Sequence, residues 1–431
     1  VSHRARQLKV SSLARVEGEG ALRVTVRDGV VERADLQIYE PPRFFEALLR
    51  GRGYTEPPDI TARICGICPV AYQTSACNAI EDACGVRIDG PIRELRRLLY
   101  CGEWISSHAL HIYLLHAPDF LGYPDAIALA ADHREIVERG LLLKKAGNAI
   151  LELVGGRAIH PVNVRVGGFY AAPGRARLDH LAGQLRPALD AAIETVRWVA
   201  GFGFPDLETD HELLAVHDPA GYAIEGGTTV RRSAGPDFEV DAFSNHVVEE
   251  QVPYSTALHA ALDGGRYLTG PLARYTLNHD QLSPLALGLA ADAGLGSECR
   301  NPFRSIVVRA IETVYAVEEA LRLIASYQPP EPSYVVVPAR DGVGHGLSEA
   351  PRGLLYHRYE IGADGLIRSA TIVPPTAQNQ AAIEEDLRRT VAANLHLGDE
   401  PLTGLCERTI RNYDPCISCS THFLELTVER S

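Results

Sequence analysis

Four of the nine cysteines stand in two Cys-x-x-Cys pairs at opposite ends of the 431-residue chain. The first pair is Cys65 and Cys68, in RICGICP (63–69), and the second is Cys416 and Cys419, in DPCISCSTH (414–422). Four thiolates form a soft ligand set that suits zinc, iron–sulfur clusters, or nickel together with iron. A structural zinc site would use the same sulfurs, but usually with short loops between its pairs rather than almost the whole chain. A redox disulfide would normally accompany a βαβ pattern, and none is visible. Cys77, Cys84, Cys101, Cys299 and Cys406 are scattered and read as small buried hydrophobes. His108 and His111, at i and i+3, lack a neighbouring third ligand; with His116 and His160 they read as buried, hydrogen-bonded structural residues.

The elements that must position the two pairs are mostly helical. Pro91 opens an amphipathic stretch, IRELRRLLYCGEWISSHALHIYLLH, with apolar residues at helical spacing. Further helices are expected over 134–154, 178–200, 302–326 and 380–396, each rich in Ala, Leu, Glu and Arg. Two β-hairpins are expected: ALRVTV and VVERADLQIYE around Asp28-Gly29, and HRYEI and LIRSATIV around Asp364-Gly365. The stretch from about 203 to 255 is the least regular and reads as an elaborated surface region. No internal repeat or low-complexity linker divides the chain. The expected architecture is therefore one domain over 1–431, mainly α with small β-hairpin regions (α+β).

Bulk properties exclude several classes. Apolar residues make up 46% and charged residues 23%, ordinary globular values. The 42 basic residues against 55 acidic ones give a net charge of −13, which argues against a nucleic-acid or anionic-membrane surface. No stretch approaches the roughly 20 apolar residues of a membrane span. VSHRARQLKV at the N-terminus has no hydrophobic signal segment, so a cytoplasmic location is expected unless a partner carries the export signal.

RICGICPV and DPCISCSTH together resemble the paired signatures of nickel–iron hydrogenase large subunits. The resemblance continues, in the family's order, through LARVEGEG (13–20), FFEALLRGR (44–52), SHALHIYLLHAPDF (107–120), GGRAIHPVNVRVGGF (155–169), EAPRG (349–353) and PPTAQN (374–379). The wording is most similar to the soluble, sulfhydrogenase-like, NAD(P)-linked branch. The resemblance implies reversible heterolytic cleavage of H2 at a NiFe(CN)2(CO) centre. Cys65 and Cys416 would be terminal nickel ligands, and Cys68 and Cys419 would bridge nickel to iron. Arg352 would project over the metals, pinned by Asp119 and Asp414, with Pro375 and Thr376 beside the cyanides. Glu17 would carry the proton away from Cys416. Glu46, the carbonyl of Ile372 and His422 would hold Mg2+.

The resemblance also implies partners. Electrons would leave through an iron–sulfur small subunit docked on an exposed apolar face, and then through flavin-containing, NAD(P)-binding subunits. Nickel-insertion factors and a maturation protease would act on the precursor, the protease removing residues 423–431 so that the mature chain ends at His422. One departure stands out: Tyr72 occupies a position where many members carry His, so a base at that point is not expected. Two other classes use similar chains: a non-catalytic quinone-reductase relative, which loses the metal cysteines, and a zinc-stabilised scaffold, which metal analysis would reveal.

Overall fold

The computed structural model describes residues 6–41 and 43–421. His422 and the tail 423–431 lie outside the described residues, and with them the expected cleavage and the histidine of the Mg2+ site. The N-terminal sheet holds β1 (Arg6–Val10), β2 (Gly20–Arg27) and β3 (Val30–Ile38) in that order, all antiparallel. Asp28 and Gly29, both at positive φ, make the tight turn between β2 and β3. The expected hairpin is present and gains β1 as a third strand.

Five long helices form the core: α1 (Pro69–Ala83), α2 (Gly90–Leu110), α3 (Arg134–Gly155), α4 (Arg175–Ala200) and α5 (Ser305–Ser326). Helix α2 packs on α3 and α5, and α4 packs on α5 and α3. The expected helix through His116 loses α-geometry at His111, where a π-turn takes over to His116. Such single-turn widenings redirect side chains and recur at functional sites.

The second sheet holds β4 (Gly342–Ala350), β5 (Gly353–Ile361) and β6 (Ile367–Val373), antiparallel in that order. It is followed by α6 (Pro375–Ala393) and α7 (Asp399–Arg411). Helix α1 lies across β4 and β5, so the segment after the first cysteine pair rests on this sheet. The stretch around 203–255 is more ordered than its composition suggests. Strands Glu212–His217, Thr229–Arg232 and Phe238–Glu239 form an antiparallel run, and Val247–Gln251 pairs with Leu258–Leu262. Its apolar residues Leu214, Val216 and Val230 pack with Leu354 and Tyr356 of β5, a long-range partnership that local periodicity does not reveal. The largest apolar cluster draws on residues from Leu8 to Cys419. No helix among the described residues is long and apolar enough to cross a membrane.

Candidate metal centre

The fold brings both cysteine pairs to one buried point. The four Sγ atoms lie within 4.8 Å of one another, and all four residues are buried. Sγ of Cys65 and Cys416 are 3.4 Å apart, and those of Cys68 and Cys419 are 3.6 Å apart. Each close contact therefore joins one cysteine from either end of the chain. Cys68 sits just before Pro69, the first residue of α1, and the N–H groups of Ile67 and Cys68 point at Cys65 Sγ at 3.3 and 3.4 Å. Hydrogen bonds from Cys416, Cys419 and Cys68 push the Cys65 thiol well down, whereas burial pushes Cys416 up.

Two elements hold the loops together. The Arg43 guanidinium donates to Ile64 O at 2.8 Å and also to Ser418 O, bridging the two motifs through their backbones. The buried Glu103 carboxylate accepts from Val70 N at 2.6 Å and Ala71 N at 3.1 Å, capping the first turn of α1 from a different helix. Burial pushes Glu103 well above the usual carboxylate range. Sequence reasoning passed over both residues. The only local signal was an acidic residue on the apolar run CGEWISS, and, for Arg43, its place directly before FFEALL.

Arg352 occupies the two-residue turn between β4 and β5, where Ala350 pairs with Gly353. It is buried, and its Nε and Nη2 donate to the carbonyl and Oδ1 of Asp414 at 2.7 and 3.0 Å. Among the described residues, its Nη1 and the Asp414 Oδ2 have no hydrogen-bond partner. Asp414 thus contacts Arg352, whereas Asp119 pairs with other guanidinia. The Asp119 carboxylate is held by Arg15 Nη2 at 2.5 Å and by Arg411 Nε and Nη2 at 2.7 and 2.8 Å. Arg411 is the last residue of α7, and Arg15 sits at a left-handed φ of 58°.

Glu17 lies beside Cys416. Its Oε2 accepts from Cys416 Sγ at 3.1 Å, its backbone carbonyl takes Ile417 N at 3.0 Å, and Ser418 N donates to Oε2 at 3.1 Å. Thr376, in the first turn of α6 beside Pro375, accepts from Cys416 N at 2.9 Å through Oγ1. Glu46 Oε1 accepts from Ile372 N at 2.7 Å, so these two members of the expected Mg2+ set are neighbours. Tyr72 is buried against the cluster, and burial followed by the charge of Cys419 pushes its phenol well up. It is therefore a neutral phenol and not a base.

The histidines only partly follow expectation. His108 Nε2 lies 3.0 Å from Glu312 Oε2, off a good hydrogen-bond line, and His111 Nε2 donates to Arg411 O at 2.8 Å. His116 is buried against the rings of His111 and Phe120, and among the described residues neither of its ring nitrogens has a hydrogen-bond partner. His160 is half-buried, with Nδ1 on Ala62 O at 2.7 Å.

Comparison with known proteins agrees with this geometry. The sequence profile of the nickel-dependent hydrogenases matches residues 43–148 and 244–422. The chain is 34% identical to sulfhydrogenase 2 subunit alpha of Pyrococcus furiosus, over 97% of this chain and 100% of the relative. It is 35% identical to sulfhydrogenase 1 subunit alpha of the same organism, over 97% and 98%. An NAD+-reducing [NiFe]-hydrogenase in the H2-reduced state superposes with a TM-score of 0.86 at 27% identity, over 97% of this chain and 99% of that one. A [NiFeSe]-hydrogenase of Desulfomicrobium baculatum shares the fold at a TM-score of 0.80 and 24% identity, over 97% and 100%.

Proposed function

Because this chain belongs to the nickel-dependent hydrogenases, we propose a division of labour among the residues around its four sulfurs. The chain is the catalytic large subunit of a nickel–iron hydrogenase, an oxidoreductase acting on H2. The observation that carries the reading is the convergence of four buried thiols from both chain ends within 4.8 Å. The donor set fits the expected group: soft sulfurs for both metals, and beside them the unpaired Nη1 of Arg352, a buried donor suited to a cyanide nitrogen. Cys65 and Cys416 as terminal ligands and Cys68 and Cys419 as shared ligands would hold a nickel–iron pair, which when bound would supply the chemistry of heterolytic H2 cleavage.

The chain's own residues then manage charge and protons. Cys416 Sγ holds the released proton, and Glu17 Oε2, 3.1 Å away, takes it within hydrogen-bond reach. Asp414 orients Arg352 through two bonds, fixing a positive charge beside sulfurs that become more anionic. Pro375 and Thr376 line the same wall. The Cys416 N–H on Thr376 Oγ1 leaves the threonine hydroxyl hydrogen free to donate elsewhere. Glu46, the Ile372 carbonyl and His422 would hold Mg2+, a role that the contact between Glu46 and Ile372 supports. The electron acceptor is an iron–sulfur subunit, followed by flavin-bearing NAD(P) subunits in the cytoplasm. Exposed Ile159, Val162, Tyr170 and Val336 support an apolar docking face there, close to His160, which hydrogen-bonds three residues before Cys65.

The test is metal content and infrared spectroscopy on protein co-expressed with its partner and maturation factors. About one nickel per chain with cyanide and carbonyl stretches is expected. Zinc alone, with no diatomic bands, would overturn the assignment.

A further inference from the structure

Beyond Glu17 the structure carries a second carboxylate toward the surface. Glu40 follows β3, and its carbonyl accepts from Thr256 Oγ1 at 2.8 Å, which fixes its backbone. Its Oε1 accepts from Ser418 Oγ at 3.2 Å and from Glu19 N at 2.9 Å. Ser418 therefore meets both acids, giving its N–H to Glu17 Oε2 and its O–H to Glu40 Oε1. The two carboxylates flank one residue of the cysteine motif.

Gly18 makes this approach possible. A Cβ at that position would lie 2.6 Å from Glu40 Oε1 and 2.7 Å from the Ile417 Cβ, and the backbone there has a φ of +88°. Only a residue without a side chain lets Glu40 reach across the Glu17 segment to Ser418. Glu17, Ser418 and Glu40 are half-buried, and Glu19 is exposed, so the series runs from a buried sulfur to solvent.

We infer that Glu40 is the next proton station after Glu17, reached through the Ser418 hydroxyl. The inference rests on the assignment of Glu17 as the acceptor from Cys416. In the transfer, Ser418 gives its hydroxyl proton to Glu40 Oε1 and regains one from the Glu17 carboxylic acid. Because its N–H already touches Glu17, the hydroxyl is no more than about one bridging water from that acid. One proton moves from Glu17 to Glu40, no electrons move, and Glu40 releases the proton to bulk water.

A purely structural Glu40 would need only an acceptor oxygen for Ser418 and Glu19, which glutamine retains. Glu40→Gln therefore separates the two roles, with Glu17→Gln and Ser418→Ala compared in the same assembled enzyme. Nickel and iron contents are measured first to show that the centre is intact. Expected for E40Q are full metal content, a fall of roughly 10²-fold in H2 oxidation and D2/H2O exchange, and loss of one carboxylic-acid C=O band from the infrared difference spectrum on reduction. S418A should slow exchange while keeping that band. Parent-like exchange and an unchanged spectrum in E40Q, with E17Q inactive, would overturn the relay and leave Glu17 standing. Parent-like exchange in both E40Q and E17Q would remove the Glu17 assignment itself. Should E40Q lose its metals, the same infrared measurement on Glu40→Asp decides: a shifted carboxylic band supports the relay, and an absent one overturns it.

Discussion

Replacing Asp119 by alanine should weaken the fold and silence the Glu17 gate while leaving the Arg352–Asp414 pair in place. The carboxylate is 8% exposed and accepts from two guanidinia, Arg411 at 3% exposure and Arg15 at 15%. Removing one partner of such a buried cluster costs about 3–5 kcal/mol, because like charges are left facing each other without water. Arg411 keeps a distant partner in Glu407 at 3.8 Å and a hydrogen bond to Ala14 O, so the lower end, about 3 kcal/mol, applies. With a urea slope of about 3 kcal/mol/M, the midpoint should fall by about 1 M. Arg15 stands two residues before Glu17, so its release also loosens the gate. Turnover should fall in Asp119→Asn, and adding Glu17→Gln should then cost little more, since the two act as one unit. Combined with Arg352→Lys, by contrast, the losses should multiply. An unchanged urea midpoint in D119A would refute the charge argument. Additivity with E17Q and non-additivity with R352K would restore Asp119 to the side of Arg352.

Other substitutions test other parts of the site. Cys419→Ser should drop nickel and iron together to near zero by elemental analysis, because the proposed shared sulfur would serve both metals. Arg43→Ala strips the shared donor from Ile64 O and Ser418 O and should destabilise by about 1–3 kcal/mol, read from urea midpoints, with metal retention falling alongside. Glu384 predicts a pH effect, since burial, opposed by Tyr254 and Leu36 N, raises it from 4.5 to about 7. The folded chain then keeps a proton that the unfolded chain has lost between these values, so stability falls as pH rises across that window. Urea midpoints of the parent should drop relative to Glu384→Gln from pH 4.5 to 7, and parallel curves would show that the group is not shifted.

Much of this was legible in the sequence because it depends on local pattern. The helices observed over 90–110, 134–155, 175–200 and 305–326 follow apolar spacing, and Asp28-Gly29 and Asp364-Gly365 mark hairpin turns. The four cysteines were legible from residue type and spacing. Arg352 was legible from its place between Pro351 and Gly353, which the tight β4–β5 turn explains. What sequence could not show were partnerships between distant segments. Arg411 lies 292 residues from Asp119, and no local signal says that it outcompetes Arg352 for that carboxylate. Arg43 and Glu103 act on backbone groups, which carry no side-chain signature. The π-turn at 111–116 keeps a helical pattern of residue types, so periodicity alone extends the α-helix through it.

The wide separation of the cysteine pairs in sequence follows from the demands on the site. A closed four-sulfur zinc site is made efficiently by two short loops, whereas here the first pair hangs on the start of α1 and the second follows α7. Between them the chain builds the helical core and the sheet that presents Arg352. Closure of the sulfur cluster therefore requires most of the fold, and a metal bound there reports on the whole chain. The same arrangement lets Glu17 pair as a bridge with Cys416 while Asp414, two residues earlier, grips Arg352. The Glu17 carboxylate, proposed above as the proton acceptor, and the Asp414-held Arg352 guanidinium are thus positioned around one cysteine by the backbone of a single short segment. A catalytic centre needs that asymmetry around its reactive sulfur, and a structural one does not.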